Sequence, residues 1–418
     1  IILPGSDFAT ARPGVSDAET IKSLASISSH KGDNGSSLPL AVAALYNSNR
    51  RKIAEAAYEG PIAVVDADRM VARLLTRSAL QPGIWDIYTE LLSLSQGNAF
   101  FVRTVPDGID ASFTDLQNGA GKALLIGTLD AQTRSVRLNP PDGLPVRQGD
   151  ELIFIARLYQ DCLIQAGTDS RPEATGRVRL SPAKLEARRV LVLGWSRRVP
   201  LLIRELLSYD QAIESIDVVG ITPVGEREGA EAITDERVRQ ITANFLDPDV
   251  LSTLEPIGYD TVVLLARERL EAEAVADAAT ISTYLALENM SSGSWPHIVV
   301  EVLEEENVRL FDRERDDVML SPMAVSSVLS QIALKPDLDR VFHELAQPTG
   351  TSIALLSIQL ESADTPLQFG EVRETARQEG YLAIGIIAES VNGGRLMLNP
   401  DADLSWTPAA ADRLVALT

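Results

Sequence analysis

Residues 79–92 read ALQPGIWDIYTELL, and residues 333–346 read ALKPDLDRVFHELA. Aligned at a spacing of 254 residues, the segments 71–92 and 325–346 share 7 of 22 positions, among them Val71 with Val325, Leu75 with Leu329, Pro82 with Pro336 and Glu90-Leu91 with Glu344-Leu345. The match continues in order on both sides. DAETIKSLASI (17–27) answers DAATISTYLAL (277–287), LPLAVAALYNSN (38–49) answers WPHIVVEVLEEEN (295–307), and LNPPDGLPVRQGDELIFIA (138–156) answers LNPDADLSWTPAAADRLVALT (398–418). Several ordered matches with little drift in offset mean a domain duplicated in tandem, because the period is far longer than that of a stacked repeat. Within each hairpin an apolar stripe recurs at helical spacing: Ile84, Ile87, Tyr88 and Leu91 in one, Leu338, Val341, Phe342 and Leu345 in the other.

The second copy is the fuller one. RRVLVLGW (188–195) is a continuous apolar run that reaches Gly194, and RVPLLIRELLSY (198–209) then places Leu201, Leu202, Glu205, Leu206 and Tyr209 at helical intervals. A strand passing through a glycine turn into a helix opens a Rossmann-type unit. Strands follow at IDVVGI (216–221), YDTVVLLA (259–266), HIVVEVL (297–303) and DVMLS (317–321). Between them, helices are predicted at 247–254, where Asp247 is a candidate N-cap, at 271–289 and at 305–313. This alternation predicts a parallel sheet covered on both faces. After Ser321-Pro322 come two helices, 323–334 and 338–346, then short strands (352–360, 381–389, 394–400, 412–418) with one helix at 370–379, forming a small α+β lobe.

The expected division is therefore a partial Rossmann-like lobe (1–68), a crossover hairpin (69–96), a C-terminal lobe (97–166), a linker (167–187), a second Rossmann-like lobe (188–322), its hairpin (323–347) and its C-terminal lobe (348–418). Residue 1 aligns near residue 262, so the first Rossmann lobe reads as truncated, with an open apolar sheet edge that the natural protein or a partner chain is expected to complete.

Composition narrows the class. The 418 residues are 45% hydrophobic, enough for two to four buried cores. No apolar run approaches the roughly 20 residues that cross a bilayer, and no secretory leader pattern opens the chain. A single cysteine, Cys162, excludes an internal disulfide framework and fits a reducing compartment. The formal charge of −21 opposes nucleic-acid binding and makes a cation the more natural partner, although most such charge only solvates a surface. Of the 38 basic residues, 32 are Arg and 6 Lys, a skew that suggests a GC-rich bacterial genome.

The chemistry-bearing motifs are sparse. A dinucleotide fingerprint G-x-G-x-x-G would need glycine at positions 196 and 199, where Ser196 and Val199 stand, and an acidic residue ending the second strand, where the sequence reads VVGITP around Gly220. NAD is therefore not expected. The turn Gly194, Trp195, Ser196, Arg197 and Arg198 remains a candidate ligand site, since a helix N-terminus with two arginines can hold an anion; the alternative is that the arginines are solvated or pair with acidic neighbours. The three histidines, His30, His297 and His343, show no metal-ligand spacing, and no G-x-S-x-G elbow is present, so no enzyme is expected. For calcium, which requires clustered oxygen ligands, NPDADLS (399–405) sets Asp401 and Asp403 at alternating positions but lacks the glycine and the final glutamate of an EF-hand loop, and EVLEEEN (301–307) offers Glu301 and Glu304.

Tandem copies of a Rossmann-like lobe, a crossover hairpin and a small C-terminal lobe resemble the RCK (regulator of potassium conductance) domains that form gating rings beneath ion channels. VLVLGWSRR (190–198), ALQPGIWDIYTELL, HIVVEVLEEEN, and LNP with GDELIFIA are similar, in order and spacing, to the CASTOR/POLLUX channel family along essentially the whole chain. The resemblance implies a cation channel whose pore helices precede this region. It implies a homotetrameric cytosolic ring at the membrane's cytoplasmic face, self-association through the hairpins, calcium as ligand and no nucleic acid. Calcium-gated potassium channels of the archaeal type place an aspartate at the end of the fourth strand and two glutamates at the end of the fifth. Here Ala266, Glu301 and Leu303 stand in those places, and the first copy has Pro4 and Ala43 or Ala44, so calcium would bind elsewhere, with Glu301 and Glu304 as candidates. The alternative implied function is a separate nucleotide-sensing regulatory subunit of a potassium uptake system.

Overall fold

The computed structural model describes residues 1–2, 13–29, 37–93, 97–167, 178–182, 187–266, 273–290, 295–345, 347, 350–360, 366–392 and 394–418. His30 and Pro4 lie outside them. The chain forms two compact units, one of residues 1–85 with 185–336 and one of 86–184 with 337–418, so each unit draws on both sequence copies.

In the first unit, the second copy contributes a six-stranded, all-parallel sheet in the order Val238–Thr242, Ile213–Gly220, Arg188–Leu193, Thr261–Leu264, His297–Val302, Asp317–Leu320. Counted along the chain this is 3-2-1-4-5-6, the doubly wound order whose ligand crevice lies where the connections reverse, between the first and fourth strands. The three central strands are buried from end to end over Val190–Leu193, Thr261–Leu264 and Ile298–Val302 because helices cover both faces. Asp247 caps the helix Pro248–Thr253, accepting from the Asp249 amide at 3.0 Å. The segment 305–313, expected as a helix, forms only a 3-10 turn, Glu305–Leu310.

The first copy contributes the helix Pro13–Ser29 and a parallel pair, Ala41–Leu45 with Ile62–Asp66, to which Ile2 adds a single bridge at Ala43. Its crossover helix, Ala67–Leu80, begins under an N-cap from Asp66 and packs on the second copy's helix Val199–Leu207. Arg73 donates to Glu205 at 3.1 Å, and Arg77 lies over the Tyr209 ring at 5.3 Å. Thr261 Oγ1 donates to the Ala79 carbonyl at 3.0 Å, which satisfies a helix-end acceptor from inside the other copy's sheet. The second copy's crossover helix, Ser321–Leu334, packs reciprocally on the first copy's strand Ala41–Leu45.

The second unit holds two lobes of one design. In the first copy the antiparallel order is Ala99–Thr104, Glu151–Ala156, Leu124–Leu129, Val136–Leu138; in the second it is Ile353–Leu360, Arg413–Leu417, Leu382–Ile387, Leu396–Leu398. Both third strands carry a bulge at a glycine, where a Cβ would sit 2.5 Å from the Arg137 carbonyl oxygen (Gly127) or 2.6 Å from that of Met397 (Gly385). The segment 167–187, read from sequence as a linker, contributes a strand: Val178–Pro182 pairs antiparallel with Ile353–Leu360 as a fifth member of the second lobe's sheet. Its alternation places Val178 and Leu180 in the core and Arg179 outside, a period too short to stand out in a polar segment.

Contacts across the two lobes are reciprocal. Asn139 donates to the Gly380 carbonyl at 2.8 Å and Asn399 to that of Lys122 at 2.7 Å; both asparagines have left-handed backbone, φ 46° and 48°. Asn98 reaches the Leu398 carbonyl at 3.0 Å and Thr351 the Leu138 carbonyl at 3.1 Å. Phe342 of the second hairpin meets Phe100 of the first lobe edge to face, centroids 5.7 Å apart.

Candidate functional site: the arginine turn at the switch point

The turn Gly194–Arg198 connects the first strand of the six-stranded sheet to its helix, at the switch point itself. Gly194 has φ +113°, and a Cβ there would lie 2.8 Å from the Leu265 carbonyl oxygen at the end of the fourth strand. The glycine therefore serves close packing of strand on strand. Ser196, in the place of the fingerprint's second glycine, is buried, and its hydroxyl accepts from the Arg198 amide at 3.3 Å.

Both arginines of the turn are paired. Arg197 forms a fork with Asp68 of the first copy, Nε to Oδ2 at 2.5 Å and Nη2 to Oδ1 at 3.1 Å, and its guanidinium lies 4.2 Å from the Tyr46 ring centroid. Arg198 donates from Nη1 to Glu301 Oε1 and lies 3.9 Å from Asp68 through Nε. All four side chains are at most 13% exposed, with Glu301 fully buried. Two cations and two anions thus neutralise one another away from water, and burial raises the Tyr46 phenol to about 12 despite the neighbouring Arg197. The acidic-partner alternative for Arg197 and Arg198 is what the structure shows. It needed Asp68, which no motif marked.

A third arginine completes the turn. Arg227 stacks over the Trp195 ring at 5.0 Å and donates to the carbonyls of Thr222 (2.8 Å), Gly220 (2.9 Å) and Ile241 (2.6 Å). It lies at the carboxyl ends of the second and third strands, where a dinucleotide-binding fold carries its ribose-holding acid. Nothing in the local sequence pointed to it, since its acceptors are all backbone.

The four metal candidates are not brought together. Glu301 and Glu304 lie in the first unit, Asp401 and Asp403 in the second. Glu301 faces Arg198, and Glu304 accepts from Asn307 at 3.3 Å. Asp401 and Asp403 are exposed in the turn whose Ala402 and Leu404 carbonyls cap the helix Phe369–Gln378 through the Gly370 and Phe369 amides. Asp401 also lines a polar cavity of about 300 Å³ with Lys122, Arg373, Glu374, Arg377 and Asn399. Among the described residues no group of three or more His, Cys, Asp or Glu is placed to hold a metal ion, and no helix is long and apolar enough to cross a membrane.

Residues 68–168 match the family described as Castor and Pollux, part of voltage-gated ion channel. The chain is 23% identical over 387 residues to the ion channel POLLUX of Lotus japonicus, covering 82% of this chain and 41% of that protein. To the ion channel CASTOR of the same plant it is 24% identical over 384 residues, covering 82% and 44%. The chain thus spans about two fifths of the length of these relatives. Among solved structures the human SLO3 gating ring superposes with a TM-score of 0.72 at 14% identity, covering 99% of this chain and 86% of that one, a likeness of fold. The chain is similar in sequence to the CASTOR/POLLUX ion channels, and its fold is that of tandem RCK domains, as in the SLO3 gating ring.

Proposed function

We propose that this chain is the cytosolic gating-ring region of a CASTOR/POLLUX-like cation channel, coupling ion binding, with calcium as the ion, to pore opening. The observation that carries the reading is the reciprocal pairing of the two copies within one chain: crossover helix of each on the Rossmann strands or helices of the other, asparagine of each lobe on the other's backbone. A ring of four such chains would carry eight domains in four intrachain pairs. The mechanism is mechanical. A ligand shifts the ring between conformations only by the difference in its affinity for them, so the site must lie where the two conformations differ. Glu301 is committed to Arg198, which leaves Glu304, Asp401 and Asp403 as carboxylates for a calcium titration to map.

Calorimetric titration of the chain with calcium, with magnesium as control, tests the ligand, because magnesium's stricter octahedral demand separates a shaped site from diffuse screening. Saturable heat with calcium alone supports the reading; equal weak heats with both ions remove calcium from it. Light scattering over a concentration series tests the ring, and a monomer at the highest concentration would sink it.

A further inference from the structure

The helix Val199–Leu207 packs on the first copy's crossover helix and turns a second face toward residues 229–235 of its own lobe. Pro200, Ile203, Arg204 and Leu207 stand at i, i+3, i+4 and i+7, a single stripe of that helix. With residues 232–235 they line a cleft of about 340 Å³. The two sides close on each other at Gly229, which has φ +78° and where a Cβ would lie 3.0 Å from Pro200 Cγ. Ile203, 2% exposed, forms an apolar floor, and Leu207 and Ile233 are half-buried walls. The cleft carries one uncommitted charge. Arg204 is exposed, and among the described residues its guanidinium forms no ion pair. The acid in the lining is engaged elsewhere: Asp235 accepts from Arg237 Nε at 3.1 Å and Nη2 at 3.0 Å, and Asp210 shares the same guanidinium at 2.8 Å.

We propose that this cleft binds a small amphipathic monocarboxylate, a short aliphatic or aromatic acid, with its tail on Ile203, Leu207 and Ile233 and its carboxylate on Arg204. Such an acid matches the lining in both respects. Its apolar atoms cover side chains that now meet water, and a guanidinium takes a planar carboxylate through two parallel hydrogen bonds. Volume restricts the ligand, since about 340 Å³ lies at the small end of ligand pockets. Charge restricts it to one anionic group, because Asp210, Glu231 and Glu236, exposed nearby in sequence, disfavour a polyanion. The inference stands on this lobe alone and does not depend on the channel reading.

The test is a titration of the chain with sodium hexanoate at constant ionic strength, reading the heat of binding and the thermal midpoint. Acetate and hexanol are the controls, one carrying only the charge and the other only the tail. Hexanoate is expected to bind saturably and about tenfold more tightly than either, since each control lacks one of the two contacts. Arg204→Gln, at an exposed position with no ion pair to lose, should weaken hexanoate about tenfold and leave any hexanol response unchanged. Ala232→Phe, also at an exposed position of the lining, should fill the cleft and abolish both responses. Hexanoate binding no tighter than acetate, or equally tight in Arg204→Gln, overturns the proposal, because the arginine's stem then only covers an apolar helix face. Tighter binding of an acetylated peptide ending in leucine than of hexanoate would give the cleft to a protein C-terminus and equally overturn the small acid.

Discussion

The two copies of the repeat treat one position identically and its neighbour in opposite ways. Asp17 and Asp277 occupy equivalent places on equivalent helices. Asp17 accepts the amides of Tyr46 (2.9 Å) and Asn47 (3.1 Å), and Asp277 those of Leu303 (3.0 Å) and Glu304 (3.0 Å) together with the Asn307 side chain (2.9 Å). Each buried carboxylate closes off the amides where a parallel strand ends, a requirement of the backbone that both copies share. Two residues before each pair of amides, the copies part: Ala44 in the first, the fully buried Glu301 in the second. Likewise Asp68 at the start of the first crossover helix aligns with Pro322 in the second. Both acids serve the arginines of one turn, which the described residues contain only in the second copy. Backbone obligations follow the fold and recur with it; charges follow their partners and diverge when the partner is on one side only.

The largest break in this comparison should come at Glu301. Glu301→Ala leaves Arg198 buried without its counterion and should cost about 3–5 kcal/mol in denaturant unfolding. Ala44→Gly at the matching position should cost about 1 kcal/mol, the loss of strand order alone. Replacing Arg198 and Glu301 together by leucines should recover much of the loss, since a buried pair often trades evenly with well-packed apolar residues. If the single and double variants unfold at the same denaturant concentration, Glu301 is not neutralising Arg198.

The capping aspartates should behave alike, and next most severely. Asp17→Ala and Asp277→Ala should each cost about 2–3 kcal/mol, with Asp277 the more costly by about 1 kcal/mol because it holds a third donor. A negligible effect at either one would end the claimed equivalence.

Each copy also buries one tyrosine, Tyr46 in the first and Tyr284 in the second, whose phenol is raised to about 12, in both cases chiefly by desolvation. An unfolded phenol ionises near pH 10, so between pH 10 and 12 the native state holds protons that the unfolded state has lost, and stability falls as pH rises through that window. Tyr46→Phe and Tyr284→Phe should each flatten the decline, measured as the urea midpoint against pH. A slope that neither variant alters would place the titration elsewhere.

The smallest effects should be the most symmetric. Asn139→Gly and Asn399→Gly keep the left-handed backbone while removing the side-chain bond that crosses between lobes, and each should cost about 1 kcal/mol. Costs that differ by more than about 1 kcal/mol would show that the two lobes do not pair through equivalent faces.

Much of this was legible in the sequence. The duplication, the hairpins, the strand and helix alternation, the glycine turn at 194 and the Asp247 cap all arise from local periodicity or local hydrogen bonds, which a chain carries wherever it folds. The strand Val178–Pro182 escaped because five residues of alternation in a polar segment acquire a partner only across the sheet, at Ile353–Leu360. The turn between strand and helix was visible from its glycine and arginines, yet what those arginines do was not legible. Arg197 finds Asp68 129 residues away and Arg198 finds Glu301 103 residues away, while Arg227 is satisfied by carbonyls that carry no residue identity.

The sequence by itself determined that the chain is a tandem of two α/β modules, because burial patterns with periods of 2 and 3.6 are written residue by residue. Only the tertiary structure decided that each compact unit is built from both modules, and that the arginines at the switch point are neutralised or left unpaired. Ion pairing in a buried site depends on distance in space and exclusion of water, and neither quantity exists until the chain has folded.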